Sequence, residues 1–402
     1  MRQSKYQIMA VLWIVTIITV SVAMITVVHA ALSESHLYRI KTDGLIGFID
    51  QTGRVVIKPV FRDASDFSEG LAAARPINTD KWGFIDITGN FVITPQYAAV
   101  WNFSEGLAAV RSEAQGRVGF IDNTGKVAIP ARYSDVRSFS NGRAAVRIED
   151  TRVAFIDKTG TVVLQTSFEY AGDMQGELIP FALEGAFRVG EKRYWGFMNS
   201  SGKIIIDPVL DFAMPFRENI TPAAKNGKFG FIDKDGRVVV AFEFDNASAF
   251  SEGMAVIGKK IGNNLLYGFV DTGGKFAISL QFEAACGFHE GLAAVKVNGC
   301  WGFIDKAGNM VIQPQYLNRL SGTPWKPVSP LLEFREGLAV VGTEMGNAYI
   351  NYSGDIVIPP SFLWYGSFSG GLASVFDGQH TIGYIDKLGN YVWKNKPLGL
   401  IK

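Results

Sequence analysis

From about residue 40 to the end, short apolar runs alternate with turn residues at a nearly constant interval. In Trp82–Ile85 and Leu107–Val110 neither alternate set of positions is polar, the pattern of strands covered on both faces. The first kind of run ends on Asp or Asn, and three residues later stands a glycine, as at Asp86 and Gly89 or Asp305 and Gly308. An Asp that bonds its own backbone and a Gly that supplies positive φ make a tight hairpin turn. A second apolar strand follows, such as Phe91-Val92-Ile93, often with a proline after it (Pro59, Pro95, Pro208, Pro314), which is expected to stop the ladder by withholding a donor. An aromatic comes next, then a segment such as Phe103-Ser104-Glu105-Gly106-Leu107-Ala108, which begins a third strand. The pattern predicts three short strands per unit.

The unit recurs ten times. Its marker runs from Ile46-Gly47-Phe48-Ile49-Asp50 through Trp82-Gly83-Phe84-Ile85-Asp86, Trp195-Gly196-Phe197-Met198-Asn199 and Trp301-Gly302-Phe303-Ile304-Asp305 to Ile382-Gly383-Tyr384-Ile385-Asp386. Successive Gly or Ala positions in the marker are 36, 36, 35, 42, 34, 38, 34, 46 and 35 residues apart. A fixed period of this length signals a repeat architecture in which each unit covers its neighbours. The expected fold is all-β, about nine and a half antiparallel three-stranded hairpin units stacked as a solenoid or curved array. Rings of one unit are expected to lie over the small residues of the next, the marker glycine included. The alternative is a closed propeller-like ring. Its blades carry four strands in roughly 40–50 residues, a poorer match to three strands in about 35.

The chain resembles the WG-repeat (KWG-repeat) proteins through Lys81-Trp82-Gly83-Phe84-Ile85-Asp86 and the Phe103 to Ala108 segment. The resemblance covers nearly everything after residue 40, although Trp fills only three of the ten first positions (Trp82, Trp195, Trp301). It implies a β-repeat module, common in exported bacterial proteins, without a general activity and without catalytic residues to carry over.

Composition agrees with the repeat. Glycine is 44 of 402 residues and phenylalanine 29, and both fall at recurring positions. The 39 basic and 38 acidic residues nearly cancel and form no Lys/Arg block, which argues against a nucleic-acid partner.

Residues 1–30 form a domain of their own kind. Arg2 and Lys5 precede the uncharged stretch Ile8 to Val28, and small residues at Ala30 and Ala31 suit signal-peptidase cleavage. The segment is read as a signal peptide, with an uncleaved membrane anchor as the alternative because about 20 apolar residues can span a bilayer. Either way residues 31–402 are expected to be exported, secreted or envelope-associated, with a membrane touched only through residues 8–28 if these are not cleaved off.

No nucleophile elbow, phosphate-binding glycine loop or zinc-protease motif occurs, and neither cofactor nor metal is expected. His36, His289 and His380 are too scattered for a metal site, and His289 stands where other units carry Ser. The recurring Asp row reads as turn chemistry. Cys286 and Cys300, 14 apart in one unit, leave a disulfide open. The repeat breaks near 169–193 and 317–333, and insertions in repeat proteins map to loops on one face, often the binding face. Arg188, Lys192, Arg193, Tyr194, Arg319, Trp325 and Lys326 are therefore the expected contact residues, while Trp82, Gly83, Phe84, Asp86, Gly89, Trp195, Gly196, Trp301, Gly302, Phe303, Asp305 and Gly308 are structural. The function expected is a non-enzymatic binding, adhesion or scaffolding module for a protein or cell-envelope glycan. The alternative is an envelope-polymer hydrolase using Asp173, Glu177 and Glu184.

Overall fold

A computed structural model describes residues 36–114, 116–148, 152–166, 168, 170–172, 178–182, 194–317, 332–378 and 382–395. The leader, residues 1–30, lies outside them. The chain divides into two compact units, Met1–Pro95 and Gln96–Lys402. Every regular element among the described residues is a β-strand. They form nine antiparallel sheets: one of six strands, seven of four and one of three.

The repeating sheet is a simple meander. One example runs Asp135–Val136, Arg143–Ile148, Arg152–Asp157, Val162–Gln165. The three longer strands are those expected, and the two-residue strand is a correction. Its counterparts are Ala99–Val100, Tyr170–Ala171, Phe212–Ala213, Asn246–Ala247, Ala284–Ala285 and Trp364–Tyr365. Two residues are too few to show an alternating pattern, so the sequence conceals them. With four strands the unit is a separate sheet of propeller-blade design, which corrects the preferred reading of stacked three-stranded units in favour of the alternative.

Each Asp-x-x-Gly turn forms as expected. Asp50 Oδ1 accepts from the backbone N–H groups of Thr52 and Arg54 at 2.9 and 3.1 Å, and Gly53, at φ 83°, donates to the Asp50 carbonyl. Several of these glycines also lie close against the preceding sheet. A Cβ on Gly160 would lie 2.9 Å from Ile129, and one on Gly354 2.8 Å from Ile312.

The marker glycine has a different reason from the one expected. Opposite Trp301 and Phe303 stand Tyr316 and Ile312, so two steps on one strand face four on the other. The extra backbone around Pro314 bulges over Gly302, where a Cβ would meet the Ile312 carbonyl oxygen at 2.5 Å and the Pro314 nitrogen at 2.8 Å. Gly47, Gly119 and Gly230 are crowded in the same way by main chain of their own sheet, and Gly196 by such main chain together with the Phe181 ring of the paired strand. The proline accordingly does not stop the strand. Pro59 lies inside Val55–Ala64 and Pro314 inside Met310–Tyr316.

Between sheets the core is aromatic and small, as the pattern predicted for the alanines. Phe120, Ile129 and Tyr133 of one sheet pack in a single cluster with Phe139, Ala144, Val146 and Ala154 of the next. The Phe120 and Phe139 rings meet edge-on at 5.0 Å, and Phe303 and Phe334 repeat the contact at 5.1 Å. Phe303 is fully buried.

Candidate functional site

Each sheet in the second unit has two ends: the tips, where its two central strands join, and the turns that carry Asp-x-x-Gly and Ser-Glu-Gly-Leu. At the tips, two-residue hairpins use Asn226-Gly227 and Asn298-Gly299, with positive φ at both residues. That is the ordinary preference of a type I′ turn. At the other end the same turn shape carries Glu-Gly, with Glu105, Glu252, Glu290 and Glu336 at φ between 51° and 54°. Glutamate is a poor residue for this backbone.

Its compensation is a reach into the following sheet. The Glu105 carboxylate accepts from Gly142 N–H at 2.9 Å, Glu218 from Gly253 at 2.9 Å, Glu252 from Gly291 at 3.1 Å and Glu336 from Gly371 at 2.9 Å. Glu290 accepts from the N–H groups of Glu336 and Gly337 at 2.6 and 2.9 Å, and from the Tyr352 hydroxyl at 2.7 Å. Lys158, Lys306 and Lys387 close on Glu105, Glu252 and Glu336 at 3.2–3.3 Å. Burial disfavours the charged forms of Glu105, Glu252 and Glu290, but these N–H, ammonium and hydroxyl donors outweigh it and hold the carboxyls below their ordinary range. Ser104 and Ser251 add hydroxyl bonds to the carbonyls of Phe139 and Phe288, both 2.7 Å. His289, in the same position, instead meets Glu333 at 3.2 Å. The turn end is thus occupied with holding sheet to sheet.

The tip end is where the pattern breaks. Ala182 and Trp195 pair at the tip of their hairpin, so residues 183–193 join them there. Leu317 bridges Gly342, next to the Thr343–Gly346 tip, so the segment from 318 also departs from a tip end. Of the expected contact residues Tyr194 is described and is 43 % exposed, beside Trp195. Arg188, Lys192, Arg193, Arg319, Trp325 and Lys326 lie outside the described residues, as do Asp173, Glu177 and Glu184.

One depression lies where no motif pointed. A groove of about 830 Å³ is lined by Arg117, Arg132, Tyr133, Ile148 and the turn Thr159 to Val162. Arg132 donates from Nε to the Tyr133 hydroxyl at 2.9 Å and from Nη2 to the Gly160 carbonyl, with its guanidinium 5.2 Å from the Tyr133 ring centre. Thr159 donates its hydroxyl to Asp157 at 2.6 Å and sits 2.8 Å from the Thr161 hydroxyl. That hydroxyl bond, against slight burial, keeps Asp157 below the usual carboxylate range. A second depression of about 260 Å³ is lined by Asp135, Arg137, Arg147 and Tyr170, among others. The signal in the sequence was local arginine density: seven of the 18 arginines fall between Arg111 and Arg152.

Among the described residues no group of three or more His, Cys, Asp and Glu could hold a metal ion. No disulfide joins Cys286 to Cys300. Cys300 pairs with Val297 at a tip, whereas the Cys286 N–H bonds Ala294 farther down the ladder, which is too distant for a bridge.

Residues 46–77, 82–113, 119–151, 195–229, 229–260, 267–299, 301–316 and 348–378 match the family described as WG containing repeat. No curated protein matches the sequence. Among solved structures the chain is similar to a eukaryotic initiation factor at 10 % identity and TM-score 0.48, covering 90 % of this chain and 96 % of that one. It is also similar to BamB from Moraxella catarrhalis at 11 % identity and TM-score 0.33 (79 % and 95 % covered), and to the computationally designed Ika8 protein at 13 % and 0.34 (79 % and 99 %). Likenesses of this depth carry no argument about what the chain binds.

Proposed function

Because the chain belongs to the WG containing repeat family, we propose that it is a non-enzymatic binding module, exported by way of residues 1–30 and presenting its tip ends to a protein or cell-envelope glycan. One observation carries this reading. The recurring polar residues at the turn end are consumed by bonds within and between sheets, while both pattern-breaking segments leave from tip ends. A partner that reads those segments leaves the cohesion of the array untouched. Catalysis through the recurrent Asp row has no basis, since each such carboxylate already serves its own turn, as at Asp122 and Asp305.

The test is capture of envelope polymers and envelope proteins by the chain, with and without residues 318–331. Loss of capture on deletion, with an unchanged unfolding midpoint, supports the reading. Capture indifferent to the deletion and to replacement of 183–193 places the contact surface elsewhere.

A further inference from the structure

We propose that the groove between Arg117 and Thr161 is a binding site for a carboxylate-bearing oligosaccharide, an inference that rests on the binding-module reading and gives it a ligand class. Four observations converge. Arg117 is exposed, and neither a carboxylate nor any other described group pairs with it. Arg132 is anchored by two uncharged acceptors, the Gly160 carbonyl and the Tyr133 hydroxyl, so its position is fixed while its charge is not neutralised. A guanidinium has five N–H donors in a planar fork, so Arg132 keeps donors beyond its two anchors, and no described acceptor competes for the fork of Arg117. Around the two cations stand the exposed hydroxyl residues Thr159 and Thr161 and the apolar flanks of Ile148 and Val162, with no acidic residue among the described lining.

The combination selects among anions. A bare inorganic anion would need the two guanidiniums and little else. A groove of about 830 Å³ has the size of sites that enclose small organic ligands. Hydroxyl donors and acceptors beside aliphatic carbon suit a sugar ring, and the arginine forks suit its carboxylate. A nucleic-acid backbone is disfavoured by the balance of charge: the segment from Arg111 to Arg152 holds eight basic and five acidic residues, too small an excess for a phosphate-tracking surface. Arg117 and Arg132 share the groove, while Arg137 and Arg147 line the second depression.

The experiment is calorimetric titration of the full chain with trigalacturonate, with a neutral galactose trimer and with inorganic phosphate. The expected result is binding of trigalacturonate that weakens with added salt, no measurable binding of the neutral trimer, and weaker binding of phosphate. Arg117→Gln should raise the trigalacturonate Kd by about 10-fold, as expected for one lost charge-assisted contact, with an unchanged unfolding midpoint. Arg132→Lys, which keeps the charge and loses the fork, should also weaken it. Equal affinity for the two trimers, tighter binding of phosphate than of trigalacturonate, no binding at all, or binding indifferent to both substitutions would each overturn the assignment. If polymer or protein capture through the tip segments persists while trigalacturonate fails, this site is refuted and the binding-module reading stands.

Discussion

Replacing Glu290 by alanine removes a carboxylate that accepts two backbone N–H groups and one phenol from the next sheet, at 2.6, 2.9 and 2.7 Å. Hydrogen bonds to charged groups contribute about 1.5–3 kcal/mol when buried. Glu290 is exposed and its stranded donors can rehydrate, so about 0.5–1 kcal/mol per bond is the appropriate scale, or about 1.5–3 kcal/mol for the latch. Glu290→Asn separates this from the turn's own preference. Asn occupies left-handed backbone far more readily than Glu, a gain of up to about 1 kcal/mol, but is too short to keep the full set of bonds. In chemical denaturation Glu290→Ala should lose about 1.5–3 kcal/mol and Glu290→Asn about 0.5–2 kcal/mol. An Asn variant as stable as the parent or more so would refute the reasoning, because it would mean that the local turn outweighs the contact between sheets.

Gly302→Ala should destabilise the chain by about 1–3 kcal/mol in the same assay, because its Cβ would meet main chain, which cannot move aside as a side chain can. Phe303→Ala should lose about 3–5 kcal/mol, the range for a core phenylalanine, and a loss under about 1 kcal/mol would remove it from the inter-sheet core. The native carboxyls of Glu105, Glu252 and Glu290 titrate below the ordinary 4.5, so the stability they contribute is fully present above that pH and is lost as pH falls through their lower native values. Glu290→Gln should therefore flatten the acid limb of a midpoint-against-pH curve. At the alkaline end, burial and the bond to Glu290 push the Tyr352 hydroxyl up to about 12, so its contribution is present below pH 10 and fades toward pH 12, and Tyr352→Phe should abolish that component.

The repeat and its turns were legible because their chemistry is local. Asp50 and Gly53 act within four residues, and so do all their counterparts. What escaped depends on partners far along the chain. The bulge over Gly302 comes from residues 312–314, and a glycine in the sequence does not say whether a ring or a backbone needs its space. The Glu of Ser-Glu-Gly-Leu acts 35 to 47 residues away, and the anomaly that could have revealed it was a glutamate where Asn or Asp would suit the turn. For the groove, Arg117 and Thr161 line one depression because one sheet's turn leans on the preceding sheet, a proximity that no spacing in the sequence encodes, whereas the excess of arginine in that stretch was visible.

The claim that carboxylates clasp each following turn is tested most directly by hydrogen exchange at single amides. Gly142, Gly253, Gly291, Gly337 and Gly371 lie in hairpin turns, yet each donates its N–H to a glutamate of the preceding sheet. Gly262, at a tip, donates to no glutamate among the described residues. The account predicts that the five exchange far more slowly than Gly262 and that Glu290→Ala releases Gly337 while leaving Gly142 protected. Exchange of all five at the rate of Gly262 would contradict it.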